Sequence, residues 1–322
     1  MVLGWIAAGA AALGATGAGL AGYAHRTRRT VERDLPPEGR MVEAAGHRLH
    51  VVERGESGPP VLLIHGLGGT TRHWHAMIPD LARDHRVVAV DRPGSGYSSR
   101  ARRAGGGPIE QAEAIAALID ALELDRPLVV GHSLGGAVAL AAGLHHPEKV
   151  SGLALICPAT QPVHEAPELF EPLVIHSDLA RRLIAWTLAV PLSRRNGPEG
   201  LRVAFSPEPV PDDFRTAAGG LLSLRPEAFR NASLDLTVLP HDLQEMASRY
   251  RDLAVPAAIL FAADDAVVDP VLHGERTAAE NGIPLTVREG GHMLPMTQGP
   301  IVCDWVRGLE REWAVAETVA AE

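Results

Sequence analysis

The stretch Leu128-Val129-Val130-Gly131-His132-Ser133-Leu134-Gly135-Gly136 constrains this chain more than any other. Three apolar residues read as a buried strand, and the Ala- and Leu-rich run from Ala137 to His146 reads as a helix. Between them lies Gly-x-Ser-x-Gly, so the context is strand, tight turn, helix, the setting in which a serine is lifted clear of a sheet edge as a nucleophile elbow. Gly131 and Gly135 lack a β-carbon and let the backbone fold sharply. The turn leaves the Leu134 amide at a helix start, facing any oxyanion formed at Ser133. The same nine residues also suit an ordinary Gly-rich turn without chemistry, so the rest of the chain must decide.

Around this stretch, short apolar runs alternate with helical patterns. His47–Glu53, Val61–Ile64, Val87–Val90, Gly152–Ile156, Ala257–Phe261 and Pro284–Arg288 read as strands. Thr70–Ala82, Gln111–Leu124, a segment near Val271–Asn281 and a last segment from about Ile301 read as helices. This rhythm predicts an α/β fold: a mostly parallel central sheet flanked by helices. From about residue 159 to 250 strand-like runs disappear and Pro recurs, which predicts a mainly helical insertion; within it Ser177–Val190 reads as a helix with Ser177 as N-cap. The expected organisation is a first core part at 45–158, a helical cap at 159–250 and a second core part at 251–322.

Residues 2–24 carry no charged side chain and end at His25-Arg26-Thr27-Arg28-Arg29. That length suffices to cross a bilayer as a helix, with Trp5 and Tyr23 placed as interfacial anchors. A membrane anchor over residues 1–25 is therefore expected, followed by a linker over 26–44; the arginines after the apolar run place the main domain in the cytoplasm. A cleaved signal peptide, with a secreted or periplasmic domain, and a flexible tail are the alternatives.

The net charge of −9 argues against nucleic acid as a partner. Cys157 and Cys303 sit in apolar segments, fit no metal spacing and read as buried small hydrophobes. His73 and His75 are two apart and diverge on a helix, so no metal site is expected. Arg181, Arg182, Arg194 and Arg195 in the insertion read as a solvated face.

A serine hydroxyl is a weak nucleophile until a base takes its proton, and that base needs a third group to orient it. Asp264-Asp265 and Gly290-Gly291-His292 each lie just past a strand, at the sheet edge where open α/β sheets bind ligands. Singly, such acids cap helices and such a histidine bonds a carbonyl. Together they give the chain order Ser133, Asp265, His292.

With His65-Gly66-Leu67-Gly68-Gly69 and Asp91-Arg92-Pro93-Gly94-Ser95-Gly96-Tyr97-Ser98, these motifs make the chain resemble the α/β-hydrolases of the lipase/esterase-like group that includes monoacylglycerol lipases, over roughly residues 45–310. The resemblance implies Ser133 as nucleophile, His292 as general base and acid, and Asp265 as orienting carboxylate. It implies the backbone amides of Leu67 and Leu134 as oxyanion hole and His65 as a structural tie. Asp265 is preferred to Asp264 for its distance to Val267-Val268, although Ala262 stands where the family's turn often has Gly; the Asp91 loop is read as structural. The implied activity is hydrolysis of a carboxylic ester, lipid-like or with an apolar acyl group, through an acyl-enzyme, with no cofactor and no metal. Partners are a small-molecule ester and, through residues 2–24, a membrane. A C–C bond hydrolase or perhydrolase on the same residues, and a catalytically silent binding module, are the rivals.

Overall fold

The computed structural model describes residues 2–163 and 167–321; within helices, residues 2–13 and 317–321 are described by backbone alone. Eight strands form one sheet: β1 (Arg40–Ala44), β2 (His47–Arg54), β3 (Pro60–Ile64), β4 (Arg86–Val90), β5 (Leu128–His132), β6 (Gly152–Ile156), β7 (Ala257–Ala262) and β8 (Leu285–Arg288). The helices are α1 (Val2–Asp34), α2 (Ile78–Leu81), α3 (Pro108–Ala121), α4 (Leu134–His145), α5 (Asp178–Trp186), α6 (Ala189–Phe205), α7 (Pro226–Ala247), α8 (Arg276–Asn281), α9 (Leu294–Thr297) and α10 (Gly299–Ala321).

The strand order is β1-β2-β4-β3-β5-β6-β7-β8. β1 and β2 pair antiparallel, as do β2 and β4, and every later pairing is parallel. β5 and β6 are buried along their whole length, as expected of parallel strands covered on both faces. The consequence for function is positional: β5, β7 and β8 run parallel, so the loops after them open on one edge of the sheet. The α/β architecture read from the sequence is the one observed.

Several local expectations change. The helix expected over Thr70–Ala82 is two short pieces, a 3-10 turn at Thr71–Trp74 and α2, because Pro79 sits at the start of the second. Val271–Asn281 begins as a π-helical turn over Pro270–Glu275 before α8. The linker expected over 26–44 is largely regular, since α1 runs to Asp34 and β1 starts at Arg40.

Between β6 and β7 the described residues form helices and turns: α5, α6, a 3-10 turn at Gly220–Leu224, and α7. Ser177 caps α5 as expected, its hydroxyl accepting from the Ala180 amide. Arg181, expected on a solvated face, is buried, and its guanidinium donates to Ile175 O at 2.7 Å and Ser233 Oγ at 3.2 Å. Cys157 and Cys303 are both buried and unbridged.

The N-terminal expectation is corrected. Val2–Asp34 is one helix, but among the described residues no helix is long and apolar enough to cross a membrane. Ala and Gly dominate residues 2–24 and contribute little apolar surface each. Trp5, expected as an interfacial anchor, has its side chain outside the described residues. The end of α1 and the residue after it are committed elsewhere: Val31 and Leu35 pack against Leu222, and Arg28 pairs with Glu227 at 2.8 Å. Neither the single-pass anchor, nor membrane contact through residues 2–24, nor the localisation built on them stands.

Candidate active site

Ser133 leaves the end of β5 with φ 55° and ψ −120°, a conformation that costs a non-glycine residue of order 1–3 kcal/mol. The neighbours impose it. The Ser133 amide donates to Ile156 O at 3.0 Å, and Ser133 O accepts from Gly136 N at 2.9 Å and Ala159 N at 3.1 Å. A β-carbon on Gly135 would lie 2.0 Å from Ile64 O, and one on Gly131 would lie 2.4 Å from Gly135 O. The glycines of the motif are thus demanded by close backbone approach, which lets α4 start directly behind the serine.

Asp265 follows β7 and His292 follows β8. Their side chains meet at 2.7 Å between Asp265 Oδ2 and His292 Nδ1. The other oxygen, Oδ1, accepts from the amides of Val267 at 2.8 Å and Val268 at 2.9 Å. Burial alone would raise the Asp265 carboxyl. The adjacent His292 imidazole, the hydrogen bond it donates and the two amides outweigh burial and hold it below the usual carboxylate range. An ionised Asp265 can only accept, so His292 donates from Nδ1 and keeps its Nε2 lone pair free. Asp264 is exposed and turns instead to the Gly290 backbone. Among the described residues no hydrogen bond joins the Ser133 hydroxyl to His292; such bonds often tighten only with substrate.

A residue that sequence reasoning passed over connects the two loops. His132, next to Ser133, donates from Nε2 to His292 O at 2.9 Å, with the two rings 4.8 Å apart. Burial, reinforced by the nearby His292, pushes the His132 pKa down to about 3, so this ring stays neutral. Its place beside the nucleophile was the available signal.

Leu67 and Leu134, whose amides are the expected oxyanion donors, share one apolar cluster with Ala137, Ala159, Leu239 and Leu243. The last two come from α7, so the insertion supplies part of this wall. Gly66 lies against the serine: a β-carbon there would be 2.9 Å from Ser133 Cβ. His65 does tie its loop, through Nδ1 to Gly66 O at 2.8 Å. Asp91 accepts from Thr71 N at 2.7 Å, Tyr97 N at 2.8 Å and His50 Nδ1 at 2.8 Å, which is a structural role.

Cys157 occupies the loop after β6, and its sulfur falls within 4.8 Å of ligand atoms of Asp265 and His292. Burial, with the Asp265 charge adding to it, pushes its thiol well above the ordinary range, so it stays protonated. Asp265 and His292 are already bonded to each other, through Oδ2 and Nδ1. The insertion also reaches the base loop. Glu208 Oε2 accepts from Gly291 N at 2.8 Å, and Phe205 and Phe214 pack with Met293 and Met296. Nothing in the sequence marked Glu208.

Residues 59–196 match the family model described as the alpha/beta hydrolase fold. The chain is 39% identical over 124 residues to the dihydrolipoyllysine-residue acetyltransferase component of an acetoin cleaving system from Pseudomonas putida, covering 38% of this chain and 33% of that one. It is 39% identical over 127 residues to 2-hydroxymuconate semialdehyde hydrolase from Pseudomonas sp. (strain CF600), covering 38% of this chain and 44% of that one. The chain thus spans under half the length of these curated relatives. Among solved structures, a putative aryl esterase from Burkholderia cenocepacia superposes with a TM-score of 0.70 at 21% identity, covering 86% of this chain and 100% of that one.

Proposed function

We propose, for a chain that belongs to the α/β-hydrolase fold superfamily, a serine hydrolase that cleaves carboxylic esters with an apolar acyl group. The observation that carries the reading is the 2.7 Å bond between Asp265 and His292, set beside the strained turn at Ser133. The bond fixes the imidazole tautomer with Nε2 as the free base. In this mechanism His292 Nε2 takes the Ser133 proton as Oγ attacks the ester carbonyl. The oxyanion is held by the amides of Leu67 and Leu134, each donor contributing about 3–4 kcal/mol. His292 returns the proton to the leaving alkoxide, the alcohol departs, and the acyl-enzyme is hydrolysed by water activated at the same Nε2. The apolar wall of Ala137, Ala159, Leu239 and Leu243 supports an apolar acyl group rather than a charged one.

A second reading, hydrolysis of a C–C bond on the same residues, is favoured by the 39% identity to 2-hydroxymuconate semialdehyde hydrolase. The test is a panel of p-nitrophenyl esters of rising acyl length beside a vinylogous 1,5-diketone of the C–C hydrolase type, each with wild type and Ser133→Ala. Turnover of esters that vanishes in Ser133→Ala is the expected result. Turnover of the diketone with inert esters replaces it by the second reading, and no turnover of either by a folded protein sinks both.

A further inference from the structure

We propose that Arg92 is a positioning residue for the oxyanion donor at Leu67, and that Asp235 of the insertion holds it in that role. The inference rests on the proposed reading in which the Leu67 N–H faces the oxyanion. Arg92 is wholly buried. Its guanidinium donates from Nε to His65 O at 2.8 Å and from Nη2 to Gly66 O at 3.0 Å. Gly66 C=O and Leu67 N–H are opposite ends of one planar trans peptide. Fixing the oxygen fixes the direction of the N–H.

Gly66 O carries two further donors, His65 Nδ1 at 2.8 Å and Gly69 N at 3.2 Å. Arg92 closes the circuit with its own backbone, since its amide donates to His65 Nε2 at 3.0 Å. With Nε2 accepting, His65 is neutral and its Nδ1 hydrogen is committed to Gly66 O. Three donors, one of them cationic, also polarise the peptide toward a stronger N–H donor at Leu67.

The far side of Arg92 is held by the insertion. Nη1 donates to Asp235 Oδ2 at 2.8 Å and to Gln111 Oε1 at 2.7 Å, while Arg100 engages the other Asp235 oxygen. Asp235 sits in α7, the helix that also supplies Leu239 and Leu243 to the apolar wall. One helix therefore touches the substrate wall and, through two side chains, sets the oxyanion donor.

The test uses full-length Arg92→Lys and Asp235→Asn, with rates expressed per serine titrated by a fluorophosphonate. An aryl ester gives kcat and KM. A trifluoromethyl ketone, which forms an oxyanion on serine, is compared with its methyl ketone counterpart. Arg92→Lys is expected to lower kcat about 10- to 100-fold with KM within about threefold, and to shrink the preference for the trifluoromethyl ketone about tenfold. Asp235→Asn moves both quantities in the same direction by less. Unchanged kcat per titrated site, or an unchanged ketone preference, overturns the proposal in favour of a structural ion pair; so does failure of both variants to fold. The wild type and Ser133→Ala separate the two levels. If the ketone binds equally to both, the serine hydrolase reading itself has failed, whatever Arg92 does.

Discussion

His132 Nε2 donates to the backbone carbonyl of His292 at 2.9 Å, binding the nucleophile turn to the loop that presents the proposed base. The bond crosses 160 residues of chain and joins the end of β5 to the loop after β8. His132→Phe keeps a ring of similar size and removes the donor. We expect kcat on an aryl ester to fall by up to about 100-fold, the scale of an ångström's misplacement, with circular dichroism unchanged. A full-rate variant would show that the loops are held by other contacts.

Asp265 and Asp264 differ sharply in surroundings, one buried on His292 and the other exposed. Asp265→Asn offers the imidazole the wrong partner and is expected to cost about four orders of magnitude in kcat. Asp264→Asn is expected to stay within a factor of about three, since exposed positions away from the chemistry tolerate such changes. Steady-state rates on one ester decide between them, and reversed sensitivities would transfer the acid role to Asp264.

Buried neutral histidines make stability depend on acidity in a definite direction. Burial first, and the neighbouring His292 second, bring His132 down to about 3; burial brings His73 and His273 down to about 4. Unfolded, each titrates near 6.5. Between those limits the unfolded chain binds more protons, so stability rises with pH across the window from about 4 to 6.5. It is fully present above 6.5 and lost on acidification, by up to about 1.4 kcal/mol per pH unit per group. Urea midpoints at pH 7, 6 and 5 check this, and His273→Gln should flatten the slope. A midpoint that climbs on acidification would reverse the account.

Leu222 is the buried partner of Val31 and Leu35. Leu222→Ala is expected to cost about 2–5 kcal/mol and to speed amide exchange through residues 24–35 relative to the sheet. Equal protection in both proteins would mean that α1 is held by its ion pairs instead.

The sheet was readable because five of its strands, β3 to β7, are short apolar runs punctuated by Gly, Pro and polar turns, and β2 alternates; such patterns report burial directly. β1, with Arg40 and Glu43 exposed, lacked that signature. The placing of Ser133, Asp265 and His292 just after β5, β7 and β8 was readable because their motifs are local and each follows a strand. Asp235, Glu208 and the bond from His132 were not, because a polar residue's partner across a fold leaves no trace in its own neighbourhood. The error at residues 2–24 has a related origin. Length, the lack of charge and the placing of Trp5 and Tyr23 favour an anchor, yet Ala and Gly give little apolar area, and the packing of Val31 and Leu35 on Leu222 lies outside any window of sequence.

The central claim is that the hydroxyl of residue 133 is the reacting atom. Intact-protein mass spectrometry after exposure to a p-nitrophenyl alkylphosphonate addresses it directly. The account predicts one phosphonyl adduct per chain, located by peptide mapping to Ser133 and abolished in both Ser133→Ala and His292→Ala. A folded wild-type protein that stays unmodified, or an adduct that maps to another residue, would contradict it.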